Sequence, residues 1–206
     1  MPRPAVVVAL LAALVAPAFA APAFADGGAD APPAYLRLDP ETTYRLYRQA
    51  AEQGDAAAQT LVGNMHVTGQ GVPRDYAEAA KWYRKAADQG NAEAQYNLGM
   101  MYANGQGVPR DCAEAAAWYR KAADQGNADA LCDLGVLYEE GQGVPRDPVL
   151  AYMYFEIAAA KFESPDSRGS AMENRDRVAS GMTLAQIAEA RRRAREWKPA
   201  NPGRGH

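Results

Sequence analysis

The chain repeats itself every 36 residues, and no other property narrows its possible folds so far. Gly54, Gly90 and Gly126 are 36 residues apart, as are Gly69, Gly105 and Gly141, and the segment GQGVPRD recurs letter for letter at 69–75, 105–111 and 141–147. Residues 55–90 and 91–126 agree at 25 of 36 positions, and 91–126 and 127–162 agree at 16 of 36. A period of this length marks a supersecondary unit that buries its apolar face only by stacking on the next copy. Composition selects the element. The 48% hydrophobic share rests heavily on Ala, with only four Phe and three Trp, and Ala joins the highest helix propensity to a side chain small enough for close helix packing. The expected fold is all-α, an α/α superhelical solenoid of helix-turn-helix repeats.

Within one unit the signals divide two helices cleanly. Ala94, Leu98, Met101 and Tyr102 fall on a single helical face, and Gly99, repeated as Gly63 and Gly135, is small enough to admit a neighbouring helix. Gly105 and Gly107 end this first helix, because Gly enters the left-handed conformation of a C-cap without a Cβ penalty. Pro109 forces a restart. Asp111, with Glu114 three residues on, reads as an N-cap, repeated as Asp75 with Glu78, while Asp147 is followed by Pro148, suited to a first helical position. The second helix places Ala115, Trp118, Tyr119, Ala122 and Ala123 on one face and stops at Gly126. Trp82, Trp118 and Tyr154 share one slot of the period, and Tyr83, Tyr119 and Phe155 the next, which points to packing between helices.

The flanks differ from the units, as the ends of a solenoid must. Residues 39–54 read as a half-repeat helix opened by Asp39-Pro40-Glu41, with Leu46, Tyr47, Ala50 and Ala51 in second-helix slots. Whole repeats follow at 55–90, 91–126 and 127–162. Residues 163–198 read as a degenerate closing pair: Ser164-Pro165 interrupts, a helix covers about 167–179, and Gly181 ends it. Thr183 and Gln186 then form a capping box for a last helix through Leu184, Ile187, Ala188, Ala194 and Trp197. The tail, 199–206, is expected to be disordered.

The first 25 residues have a composition of their own. Arg3 precedes twelve uninterrupted apolar residues, 5–16, fewer than the roughly 20 that span a bilayer. Pro17 follows, then Ala-Phe-Ala at 18–20 and again at 23–25. This is the pattern of a cleavable secretory signal, cut after Ala20 or, better, after Ala25. The mature chain is thereby expected to be periplasmic or secreted, with no membrane insertion, and residues 26–38 to be flexible. Export makes a disulfide between Cys112 and Cys132 worth testing. If the helices bearing them run antiparallel through Gly126, the two are offset by about 10 Å along the axis, so two separate, mostly buried thiols are expected.

Groups for catalysis are sparse. His66 takes the slot of Tyr102 and Tyr138 and reads as a core histidine, and His206 ends the chain, so no metal cluster can be built around either. Ser164, Ser167, Ser170 and Ser180 have no His nearby to activate them. The Gly-x-Gly of the loop follows a helix and lacks the Lys-Ser/Thr of a phosphate loop. A net charge of −3 offers no general attraction to nucleic acid. Arg191, Arg192, Arg193 and Arg195 form the one basic cluster, most simply a solvated face. No enzyme activity, cofactor or metal is expected. Contact residues are sought instead where the copies differ: Leu61, Asn64 and Thr68; Glu93, Asn97, Met100 and Asn104; Asp129, Asp133, Val136 and Glu140. These recur at helical spacing as one stripe of the first helices, acidic toward the third unit and suited to a basic or extended peptide.

The pattern running from Ala94, Leu98, Gly99 and Tyr102 through Gly105, Gly107, Val108 and Asp111 to Ala115, Trp118, Ala122 and Ala123 resembles the Sel1-like repeat, a subclass of the tetratricopeptide-like solenoids. The closing segment, from Arg175-Asp176-Arg177 through Met182-Thr183 to Glu196-Trp197, is similar to the capping tail of bacterial members. The resemblance implies a right-handed superhelix whose first helices line a concave face, and a role as a protein- or peptide-binding adaptor of the cell envelope. A cysteine-rich, exported branch of the family is linked to binding or slow hydrolysis of β-lactams, so the alternative is an envelope small-molecule binder or weak β-lactam hydrolase. That branch pairs cysteines in every repeat, whereas here Ala123 stands where the first partner would fall and only Cys132 lies near the second.

Overall fold

The structure, a computed structural model, describes residues 39–200. The signal segment 1–25, the segment 26–38 and residues 201–206 of the tail lie outside the described residues. Among those described, every regular element is an α-helix: α1 Pro40–Glu52, α2 Ala56–Thr68, α3 Tyr76–Asp88, α4 Ala92–Asn104, α5 Cys112–Ala123, α6 Ala128–Glu140, α7 Pro148–Lys161, α8 Pro165–Ala179 and α9 Leu184–Glu196. The fold is an all-α repeat solenoid. Two compact units meet inside α3, between Trp82 and Tyr83.

In the first unit, α1 begins where Asp39 accepts from the Thr42 N–H at 2.8 Å. It packs on α2 through Tyr47, Ala51, Ala58, Val62 and Met65, with Trp82 completing the cluster. In the second, Tyr119, Leu131, Leu134, Met153 and Ala171 form a core drawn from α5, α6, α7 and α8. Ala151, Tyr152, Phe155, Val178 and Ala190 form another, which brings in α9. Each fully buried Leu or Phe contributes about 1.5–3 kcal/mol relative to exposure.

Within each unit, helices and loops approach one another at distances that only glycine permits. A Cβ on Gly99 would lie 2.6 Å from the Tyr119 ring, and one on Gly135 would lie 2.8 Å from Phe155. The loop is tighter still. At Gly71 and Gly143, with φ of 68° and 70°, a Cβ would meet Pro40 O at 2.0 Å and Cys112 C at 2.2 Å. In these two copies the second glycine of GQGVPRD therefore seats the loop against the first turn of α1 and of α5. Its role is close approach as well as chain reversal.

Capping runs deeper than the sequence suggested. Asp111 accepts from Ala113 N and Glu114 N at 2.9 and 3.1 Å, and Asp147 from Val149 N and Leu150 N at 2.9 and 3.0 Å. The first helices carry caps of their own: Asp55, Asn91 and Asn127 accept from Ala58 N, Ala94 N and Ala130 N at 2.7, 2.8 and 2.8 Å. The loop arginine, a residue without a role in the sequence reading, also caps. Arg110 Nε donates to Ala103 O and Arg146 Nε to Glu139 O, each at 2.9 Å, closing the last turns of α4 and α6.

Ser164-Pro165 separates α7 from α8, and α8 begins at Pro165 itself, since a first-turn position needs no N–H and proline presets its φ. Thr183 and Gln186 form both halves of a capping box, but Leu184 is 86% exposed and Ala188 is exposed too. The inward face of α9 is Ile187, Ala190, Ala194 and Trp197.

Candidate functional site

His66, the one histidine inside the repeats, is buried in the first unit. Its Nε2 lies 3.3 Å from the Tyr44 hydroxyl and the rings meet edge to face. Its Nδ1 is buried without a hydrogen-bond partner. Among the described residues no group of three or more His, Cys, Asp or Glu is placed to hold a metal ion.

In the second unit a polar ladder links successive repeats. Arg84 donates to the Tyr102 hydroxyl, and Arg120, one period later, donates to the Tyr138 hydroxyl at 2.9 Å. The Arg84 guanidinium also lies 5.0 Å from the Trp118 ring centroid, with Lys121 Nζ at 3.6 Å. The Gln95 side chain donates to Ala87 O at 3.1 Å and accepts from Gln125 Nε2 at 2.8 Å. In the first unit Gln59 donates in the same way to Ala51 O at 3.0 Å. These are residues shared between copies, and the structure assigns them to joining units. The signal was their repetition.

The residues that differ between copies divide into two groups. Thr68, Glu93, Asn104, Asp129 and Glu140 are exposed, and Leu61, Asn64, Asn97, Met100, Asp133 and Val136 are half-buried. Leu61, Met100 and Val136 lie against the apolar clusters. Asp133 is committed as well. Burial drives its pKa above the ordinary carboxylate value, opposed by hydrogen bonds from the Tyr119 and Tyr96 hydroxyls. The open part of the stripe is thus its outer row, where Glu93, Asp129 and Glu140 carry the charge.

The cysteines are half-buried and free. Burial, then the charge of Asp133, pushes the Cys132 thiol up to about 11, which leaves almost no thiolate at neutral pH. The four arginines of the basic cluster are all exposed, and they differ in their partners. Arg192 bridges Glu189 and Glu196 at 2.8 and 2.6 Å, and Arg193 joins Glu189 at 2.7 Å. Arg191 instead donates to the Tyr152 hydroxyl at 3.0 Å. No helix among the described residues is long and apolar enough to cross a membrane.

With this geometry, the chain matches the Sel1 repeat model at residues 28–55, 56–91, 92–127 and 128–161. The family match thus takes 28–55 as a unit of its own, whereas the sequence pattern marks a half-unit at 39–54. No curated protein matches the chain. Among solved structures, a protective antigen of uropathogenic Escherichia coli displaying an SLR fold is 36% identical, with a TM-score of 0.69 over 76% of this chain and 32% of that one. This chain therefore spans about a third of that antigen. A Sel1 repeat protein from Oxalobacter formigenes is 31% identical, with a TM-score of 0.58 over 73% of this chain and 68% of its own. Cysteine rich protein B of Helicobacter pylori shares the fold at 22% identity, with a TM-score of 0.52 over 63% of this chain and 96% of its own. The GQGVPRD loop, the glycine contacts and the four matched units make the chain a member of the Sel1 repeat family.

Proposed function

We propose that this protein is a non-enzymatic scaffold of the cell envelope that holds a protein or peptide on the first helices of its repeats. The observation that carries this reading is the division of labour between positions. Residues shared by the copies cap helices, seat loops or join units. Residues that differ include exposed ones, Thr68 on α2 in the first unit and Glu93, Asn104, Asp129 and Glu140 on α4 and α6 in the second. Exposed side chains that vary at helical spacing on a rigid frame can be altered without disturbing the fold, as recognition of a particular partner requires. The acidic character of Glu93, Asp129 and Glu140 suits a basic or extended segment. Envelope location rests on the signal-like composition of residues 1–25. The description of the E. coli neighbour as a protective antigen accords with it.

The test is capture of partners from envelope extract by the mature chain and by an Asp129→Lys, Glu140→Lys double variant. A partner held by the outer row is recovered with the first and lost, by about tenfold or more, with the second. Equal recovery by both would place binding elsewhere.

A further inference from the structure

One block that the first two repeats share is rewritten in the third. Arg-Lys-Ala-Ala-Asp-Gln occurs at 84–89 and again at 120–125, whereas 156–161 reads Glu-Ile-Ala-Ala-Ala-Lys. The four changed residues, Glu156, Ile157, Ala160 and Lys161, all line one cavity of about 400 Å³, closed on its other side by the last two turns and the C-cap of α9. Continuing the earlier block would have put a lysine, an aspartate and a glutamine where Ile157, Ala160 and Lys161 stand. The substitutions remove charge from the floor and place a cation at the rim.

The lining sorts by chemistry. Ile157, Ala160, Ala194 and Trp197 give an apolar floor, and Lys161, Arg191 and Arg195 supply three positive charges. The one acidic group, Glu156, is already paired with Arg175 on α8 at 2.8 Å. Arg191 is oriented by its bond to the Tyr152 hydroxyl, and Lys161 Nζ lies 5.4 Å from the Trp197 ring centroid. Arg191 and Arg195 share a face of α9 by their four-residue spacing, while their neighbours Arg192 and Arg193 are taken up by Glu189 and Glu196.

We infer that this cavity is a binding site for an apolar monocarboxylate, its carboxylate held by Lys161, Arg191 and Arg195 and its hydrocarbon body laid on Trp197 and Ile157. An inorganic anion would leave the floor unused. A free amino acid would bring an ammonium group to a lining whose carboxylate is already engaged. Both a free aromatic or branched acid and the last residue of a peptide with an apolar side chain present the required chemistry. The site is separate from the first-helix stripe and does not depend on the scaffold reading.

The experiment is calorimetric titration of the full chain with 4-phenylbutyrate, with N-acetyl-Ala-Phe as the free acid, and with the amides of both. An acid is expected to bind at least about tenfold more tightly than its amide, and more weakly as salt rises. Arg195→Ala and Lys161→Gln should each weaken binding by about three- to tenfold, and Arg192→Ala, outside the cavity, should leave it unchanged. Preferred binding of phenylbutyrate identifies the source as a free acid, and preferred binding of the dipeptide as a peptide terminus; either supports the site. Thermal melting of each variant separates lost binding from lost folding. No binding of either acid, equal binding of acid and amide, or indifference to Arg195→Ala in a folded variant would overturn the assignment.

Discussion

The Tyr44 hydroxyl and His66 Nε2 lie 3.3 Å apart, and this contact replaces the arginine–tyrosine bond that joins later repeats. One period on, the slot of Tyr44 holds Ala80 and then Ala116, while the slot of His66 holds Tyr102 and Tyr138. At the closing end Tyr152 and Asn174 occupy the same two slots. The large side chain therefore sits on the second helix at both ends and on the first helix between them.

An exchange of this kind makes the two positions interdependent. His66→Tyr alone should overpack the site against Tyr44 and cost about 1–3 kcal/mol. Adding Tyr44→Ala recreates the pairing of the inner repeats and should recover at least about 1 kcal/mol of that loss in a double-mutant cycle. Urea denaturation provides the measurement, and strictly additive losses would show that the two slots do not compensate each other.

The loop glycines should differ in sensitivity although their backbones are alike. Gly90 and Gly143 have φ of 91° and 70°, but a Cβ at Gly90 meets nothing within 4 Å while one at Gly143 falls 2.2 Å from the Cys112 carbonyl carbon. Gly90→Ala should cost about 1–2 kcal/mol, from conformational strain alone. Gly143→Ala should exceed about 3 kcal/mol or displace the loop, because backbone must move. Comparable melting temperatures for the two variants would contradict the seating of the loop on α5.

Asp133 gives the stability a pH dependence of definite sign. Its folded pKa is raised above the ordinary value of 3.8, chiefly by burial. Protonated Asp133 is the better-accommodated form, so its contribution is complete below about pH 3.8 and is lost as pH rises through the raised folded value. Asp133→Asn, which places in the third unit the residue found at Asn97, should remove that part of the slope and leave neutral stability equal or higher. Chemical denaturation from pH 3.5 to 7 tests this, and an unchanged slope would mean that the carboxylate is not desolvated.

Cys132 should resist alkylation. With its pKa near 11, the thiolate fraction at pH 8 is about a hundredfold below that of an ordinary cysteine. In a Cys112→Ser background, iodoacetamide labelling followed by mass spectrometry should be slow and should accelerate steeply with pH. Labelling at the rate of a small thiol would show the side chain to be open to solvent.

Sequence pattern carried the architecture because caps, turns and helical faces are local. The aspartate caps, the left-handed glycines and the two-helix unit all follow from residues within a few positions of one another. What escaped it depends on direction across units. A period shows that Arg120 and Tyr138 recur, yet only the packed helices show that one donates to the other. The same limit explains Leu184 and Ala188, which fit an amphipathic pattern but lie on a face of α9 that meets no helix. It also explains Asp133, which differs between copies yet is engaged by the Tyr96 and Tyr119 hydroxyls. The cavity between α7 and α9 was hidden for a related reason. Its wall is made by changes within a repeat, and their meaning depends on the closing helix laid across them.

The claim that the outer row of the first helices is the contact face is tested most directly by photocrosslinking at single positions. Benzoylphenylalanine placed at Asn104 and at Asp129, both exposed on the stripe, should give adducts of one common mass in envelope extract, and the same probe at Ala117, exposed on α5, should give none. Adducts at Ala117 as strong as those from the stripe, or none from either stripe position, would contradict it.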